Sequence, residues 1–207
     1  MTKNQFIEEV ASAAKIIESF KGIPAGVLKN AKGIAVLHVS KVAVGISERH
    51  GHGIVVSRLP EEGALPATWS APAAIHTSGW GAGEQVGIEV EDLVFVLNTE
   101  KAVSAFAKGH NWTVGTDVSI AAGPLGAAAE FDGTVREFSS IYTYSHAKGL
   151  FAGVAVEIGG INQRSVINAE AYGVGTTGEQ ILNGVIERPD WADVLYQALK
   201  TKEFGEE

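Results

Sequence analysis

The 207-residue chain contains no cysteine. That removes disulfides, thiolate nucleophiles and thiolate metal sites together, and it points to a reducing compartment. Long apolar runs are missing too. The most hydrophobic stretches, such as Leu93 to Leu97, are strand-sized and far short of the roughly 20 residues of a membrane-spanning helix. The first ten residues carry Lys3, Glu8 and Glu9 and lack the apolar segment of a secretory signal. Together these features predict cytoplasmic localisation. Asn111-Trp112-Thr113 matches a glycosylation sequon and, with no secretory signal, is read as unmodified. Positive charge is scarce: 16 Lys and Arg face 24 Asp and Glu, a net charge of −8 that argues against nucleic acid as a partner.

What is abundant is glycine, at 25 residues set among Val, Ile and Ala rather than in Ser- or Pro-rich tracts. That spacing suits turns and close strand contacts, not a flexible linker. The charge is also uneven. Residues 1–58 hold eight basic side chains (Lys3, Lys15, Lys21, Lys29, Lys32, Lys41, Arg49 and Arg58) against four carboxylates, so the remainder is strongly acidic. A basic front on an acidic body suggests a face that seeks an anionic partner.

Asn4 to Phe20 reads as an amphipathic helix, with Phe6, Val10, Ala13 or Ala14, and Ile17 at helical spacing. Gly22 and Pro24 end it, and Ala25 to Ala31 adds a helical turn. From Gly33 the period becomes two. Strands are predicted at 34–39, 42–46, 53–58, 73–80, 85–90 and 93–97, then at 112–121, 133–138, 141–145 and 150–158. A turn is predicted at Pro60 to Gly63, and a helix at 99–107 capped by Asn98 or Thr99. Thr176-Thr177-Gly178-Glu179 has capping-box spacing, and Arg188-Pro189-Asp190 opens a last helix with Trp191, Val194, Leu195 and Leu199 on one side. The predicted fold class is α+β. One domain, 1–207, holds a helical segment (1–32), a β-rich core (33–160) and C-terminal helices (165–203). Its sheet is mostly antiparallel and must curl, partly closed or barrel-like, with the terminal helices packed on it.

Motifs for chemistry fail on detail. Gly79 to Gly87 lacks the third glycine of a dinucleotide fingerprint, and no Gly-Lys-Ser/Thr ending of a phosphate loop follows. His50 and His52 share a strand face but find no third metal ligand nearby. Ser145-His146-Ala147-Lys148 matches S-x-x-K without its companion elements. Glu89, Glu91 and Asp92 lack the spacing of a calcium loop. No catalytic residue, metal site or cofactor is predicted. The Phe6/Val10/Ile17 stripe has two readings: it covers the sheet as core, or it lies on a membrane with Lys3, Lys15 and Lys21 meeting lipid phosphates.

Several segments, in order along nearly the whole chain, carry a resemblance. They are Ala31 to Ala35, Gly53 to Val56, Trp69 to Pro72, Gln85 to Gly87, Asp92 to Asn98, Ala121 to Gly126 and, most specific, Tyr142 to Gly153. With these the chain resembles the SYLF domain, also called the actin-binding domain of yeast cortical-patch proteins. The resemblance implies a non-enzymatic, phosphoinositide-binding module peripherally associated with membranes, acting through a basic N-terminal segment that corresponds to Thr2 to Lys41. The lipid-contacting residues expected are Lys3, Lys15, Lys21, Lys29, Lys32, Lys41 and Arg49, with Phe6 and Ile17 adding apolar insertion. Phosphoinositide-containing membranes are the expected partner. The alternatives are an actin or trafficking interaction module without lipid, or a small-ligand carrier or enzyme around Ser145, His146 and Lys148.

Overall fold

The structure is a computed structural model that describes residues 2–60, 68–108, 120–122 and 139–204. Helix α1 (Lys3–Ser19) and the short α2 (Ala25–Asn30) lead into strand β1 (Gly33–Leu59). Then come β2 (Thr68–Trp69), β3 (Ala73–Leu97), α3 (Glu100–Lys108), β4 (Ile120–Ala122) and β5 (Ile141–Gln163). Helices α4 (Ser165–Tyr172) and α5 (Gly178–Leu182) follow, and a 3₁₀ turn at Asp190–Ala192 runs into α6 (Asp193–Phe204). The sheet order is β2-β1-β3-β5-β4, antiparallel except for the parallel β4–β5 pair. The predicted α+β class and antiparallel sheet hold. Among the described residues the sheet curls but does not close into a barrel, since β2 and β4 stand at its two ends and do not pair with each other.

The main correction concerns strand length. Three predicted strands, 34–39, 42–46 and 53–58, are one 27-residue strand, β1. Likewise 73–80, 85–90 and 93–97 are the single β3, and 141–145 and 150–158 are the single β5. The glycines and polar residues that look like breaks are curl and bulge positions inside continuous ladders. At the tip, Val44 pairs with Val86 and Ile46 with Ala82, so three residues of β3 oppose Gly45 alone. An offset of two preserves the alternation of faces, where an offset of one would invert it. Gly45 has φ +73°, in the left-handed region.

A straight strand of this length would span roughly 90 Å. Instead the two ends of β1 meet. The Arg58 N–H donates to the Lys32 carbonyl at 2.8 Å, and the Lys32 N–H donates to the Leu97 carbonyl at 2.7 Å. A Cβ on Gly53 would collide with the Val36 carbonyl oxygen, and one on Gly51 would lie 2.6 Å from Val39 Cγ2. Only glycine allows that approach.

Parity along the strands divides the core. Even positions Ile34, Val36, Ile54, Val56, Ala74, Val94 and Val96 pack with α1, α4 and α6. Odd positions Ala35, Leu37, Val39, Val55, Ala73, Ile75, Leu93, Phe95 and Leu97 pack with α3 and α5. The base of the sheet is therefore covered on both faces. Within the first layer Phe6, Val10 and Ile17 are fully buried, each contributing about 2 kcal/mol of apolar burial. The core reading of this stripe is the one realised.

Side chains tie the layers together. The Arg58 guanidinium lies 4.1 Å from the Trp69 ring, pairs with Glu203 of α6, and donates to the carbonyls of Ala31 (2.9 Å) and Leu28 (3.0 Å). Tyr172 and Tyr196 donate to the carbonyls of Pro72 and Ser70. Burial pushes the Tyr196 hydroxyl up to about 12 and raises that of Tyr172 further. The helix caps are as the residue types demand. Thr99 Oγ1 accepts from the Ala102 N–H. Thr177, one residue later than predicted, forms the capping box with Gln180. Of the remaining predictions, the 112–121 strand lies almost wholly outside the described residues. The 133–138 strand, the sequon and most of the Pro60–Gly63 turn lie outside them too.

Gly53→Ala is expected to cost about 3 kcal/mol or to prevent folding, because backbone must move to admit the methyl. Gly45→Ala, with open space for a Cβ but an unfavourable φ, is expected to cost about 1 kcal/mol. Urea unfolding of both variants checks this; equal losses would contradict the close approach at Gly53.

Candidate functional site

The expected lipid-contacting residues do not form one patch. Lys3 opens α1 and Lys21 follows its end, roughly 25 Å away along a 17-residue helix. Both are exposed, as are Lys15, Lys29 and Lys32. The Lys32 ammonium stands 4.0 Å from Glu100, and the Arg49 guanidinium 3.5 Å from Glu91. Lys41 is half-buried and faces Glu89 in the register of the β1–β3 ladder. Phe6 and Ile17, expected as apolar contacts, are buried in the core rather than on an exposed face. The cause is packing: α1 spends its apolar stripe on the sheet and on α6.

One smaller cationic group does gather, at the C-terminal end of α1. Lys202 of α6 donates to the Phe20 carbonyl at 3.0 Å, next to Lys21. Lys29 of α2 sits 5.2 Å over the ring of Phe204, which is itself exposed. A helix C-terminus favours such cations. Lys202 was not foreseen because it lies some 180 residues from the basic front, and only tertiary contact between α2, α1 and α6 brings it there.

Between α1 and the even face of β1 lies a groove of about 520 Å³. Its polar walls are Glu8, Glu9, Lys15, His38, His52 and Asp92. His38 Nδ1 is 2.6 Å from Asp92 Oδ1. Glu9 Oε2 accepts from Arg164 at 2.6 Å, and Glu9 Oε1 stands 3.8 Å from His52 Nε2. Two close pairs, His38–Asp92 and Arg164–Glu9, thus line the groove, while the buried Glu9 Oε1 makes no hydrogen bond, and no group of three ligands that could hold a metal ion occurs among the described residues. His50 and His52 are not joined as a metal pair: the former bonds Glu48 at 2.7 Å, the latter turns to Glu9.

Two members of the S-x-x-K segment are described. Ser145 and His146 are exposed on β5, and His146 stacks on Phe20 with ring centroids 4.0 Å apart. The Lys148 side chain lies outside those described.

Beyond α1, the described even-face residues of β1 and β3 are uncovered. Val42, Val44, Ile46, Trp80, Val86 and Ile88 are all exposed, Val44 at 79% and Trp80 at 64%. Cross-strand register sets Val42 beside Ile88 and Val44 beside Val86, making one continuous apolar stripe. The odd face of the same ribbon is closed, with Val39, Ala43, Ser47, Gly51, Thr77, Gly79 and Gly81 buried. This stripe was not foreseen, because its residues read as the buried half of ordinary alternating strands.

The comparisons with known proteins agree on one family. Residues 78–202 match the family Ysc84, described as Las17-binding protein actin regulator. LAS seventeen-binding protein 3 of Saccharomyces cerevisiae is 41% identical over 209 residues, covering 95% of this chain and 44% of that protein. SH3 domain-containing YSC84-like protein 1 is 43% identical over 202 residues in Xenopus laevis and 41% over 201 residues in Homo sapiens. These cover 92% of this chain and 59% and 57% of the relatives, so the chain spans about half the length of the curated proteins it matches. No solved structure matches.

Near the groove, His76 is half-buried, and desolvation first, then the Arg164 guanidinium and His50, lower its affinity for a proton below the ordinary value of 6.5. The unfolded chain therefore takes up this proton first. The stabilising effect of a neutral His76 is complete above pH 6.5 and is lost as pH falls below it. His76→Gln is expected to flatten the pH dependence of urea stability between pH 7.5 and 5.5; an unchanged slope would contradict the assignment.

Proposed function

Because the chain belongs to the Ysc84 family, we propose that it is a non-catalytic docking domain of the actin cortex, with residues 1–207 acting as one unit. The match over residues 78–202 to a family of Las17-binding actin regulators carries this reading. The geometry supports it: His38 and Glu9 in the groove are held by Asp92 and Arg164, His146 stacks on Phe20, and broad exposed apolar surface remains on the outer face of the β1–β3 ribbon. The domain's place is the cytoplasmic side of a membrane, where it meets actin or trafficking proteins.

A second reading rests on the cationic group at the end of α1. Lys21, Lys29 and Lys202 there would meet a phosphoinositide headgroup, each basic residue contributing about 1 kcal/mol near an anionic surface. Lys3, Lys15, Lys32, Lys41 and Arg49 would add only long-range attraction, being spread over other elements and screened beyond about 8 Å.

Co-sedimentation separates the two. The docking reading predicts binding to actin filaments or to Las17 without lipid, weakening as salt rises; absence of binding to either overturns it. The headgroup reading predicts binding to phosphoinositide vesicles that falls at least tenfold in Lys21→Glu/Lys29→Glu/Lys202→Glu. Equal binding of the triple variant would remove it.

A further inference from the structure

We propose that the apolar stripe on the outer face of the β1–β3 ribbon is a lipid-contacting surface that sits in the interfacial layer of a bilayer. It goes beyond the two readings above, because it needs neither actin nor a phosphoinositide headgroup.

The argument starts from the fold's inability to hide the stripe. The ribbon's odd face is filled by its own curl, where glycine at 51 and 53 already brings backbone against backbone. The even face of the ribbon tip therefore has no interior to enter. α1 covers that face only at the base, where Val36 and Ile54 are buried, and stops short of Val42. Val42, Val44, Ile46, Val86 and Ile88 then stand side by side in water, all β-branched and without a polar atom. The third strand sets Leu150, Ala152 and Ile158 at the register positions opposite Ile88, Val86 and Trp80. A contiguous exposed patch of this kind marks an interaction site.

Three observations select lipid as the occupant. Among its described side chains the stripe offers no hydrogen-bonding group except the Trp80 indole, whereas a protein interface carries polar anchors across its area. Trp80 stands at one end of the stripe, where its register partner is Glu48, so the ring bridges apolar and charged surface as interfacial tryptophans do. Among the described charges near the stripe, Glu48 pairs with His50 and Arg49 with Glu91. The net charge of −8 disfavours a second copy of this chain on the stripe but is indifferent to a zwitterionic bilayer.

The test uses the full chain with phosphatidylcholine vesicles, with and without phosphoinositide, at 0.1 and 0.5 M salt. Apolar insertion predicts binding to both vesicle types that survives high salt, with a blue shift of fluorescence that is lost in Trp80→Phe. Val44→Thr/Ile46→Thr keeps β-branching at exposed positions and is expected to reduce binding at least tenfold with unchanged urea stability. Undiminished binding of this variant overturns the proposal, while leaving headgroup recognition standing if the lysine triple variant fails to bind. Failure of the wild type to bind either vesicle overturns both membrane readings. Sedimentation that shows a wild-type dimer and a monomeric Val44→Thr/Ile46→Thr assigns the stripe to a second copy and overturns the lipid assignment.

Discussion

The rest of the molecule depends on the contact of β1 with itself. Where Gly53 passes the Val36 carbonyl there is no room for a side chain, and a few residues on, Lys32 and Arg58 hydrogen-bond backbone to backbone. This contact turns an extended ribbon into a curled sheet. It brings Ile34 and Val56, distant in sequence, into one layer under α1 and α6, and Ala35 and Val55 into the other. Arg58 then links the junction to the helices by stacking on Trp69 and pairing with Glu203. Removing one member of such a buried pair is costly because the other charge is left in a poor solvent.

The same curl explains the surface. Small residues, Ala43, Gly51, Gly79 and Gly81, are buried on the inner face of the ribbon, and at Gly51 a Cβ would lie 2.6 Å from Val39 Cγ2 of the other arm. The outer face is free of that restriction and carries Val, Ile and Trp instead. A sheet that is two-sided at its base thus becomes one-sided at its tip, with its apolar side outward. At this tip local apolar pattern and global fold disagree, and such places are where function is to be sought.

Much was readable from residue pattern. Helix α1, its apolar stripe, the inserted helix after Asn98 and the C-terminal helices follow from 3.6-residue spacing and capping residues, and the antiparallel class from period-two segments with no crossover helices. Strand length was not readable, because a glycine that permits close approach is indistinguishable in sequence from one that makes a turn: Gly45, Gly51 and Gly53 look alike but act differently. Three of the segments that carry the family resemblance have structural roles. Ala31 to Ala35 and Gly53 to Val56 form the junction, and Trp69 to Pro72 is held by Arg58, Tyr196 and Tyr172. The basic front was correctly seen as basic, but charge counted along a sequence does not reveal that Lys3 and Lys21 lie at opposite ends of a helix, or that Lys202 joins the latter.

The claim beneath all of this is that β1 returns on itself, and the cysteine-free chain allows a direct measurement. Spin labels on His38→Cys and His52→Cys, whose native rings lie 6.3 Å apart, report the separation of the two arms by pulsed electron resonance. The curled sheet predicts a distance below about 25 Å, allowing for two label tethers on neighbouring arms. A distance near the roughly 46 Å that 14 residues span in a straight strand would contradict the curl, and with it the outward apolar face.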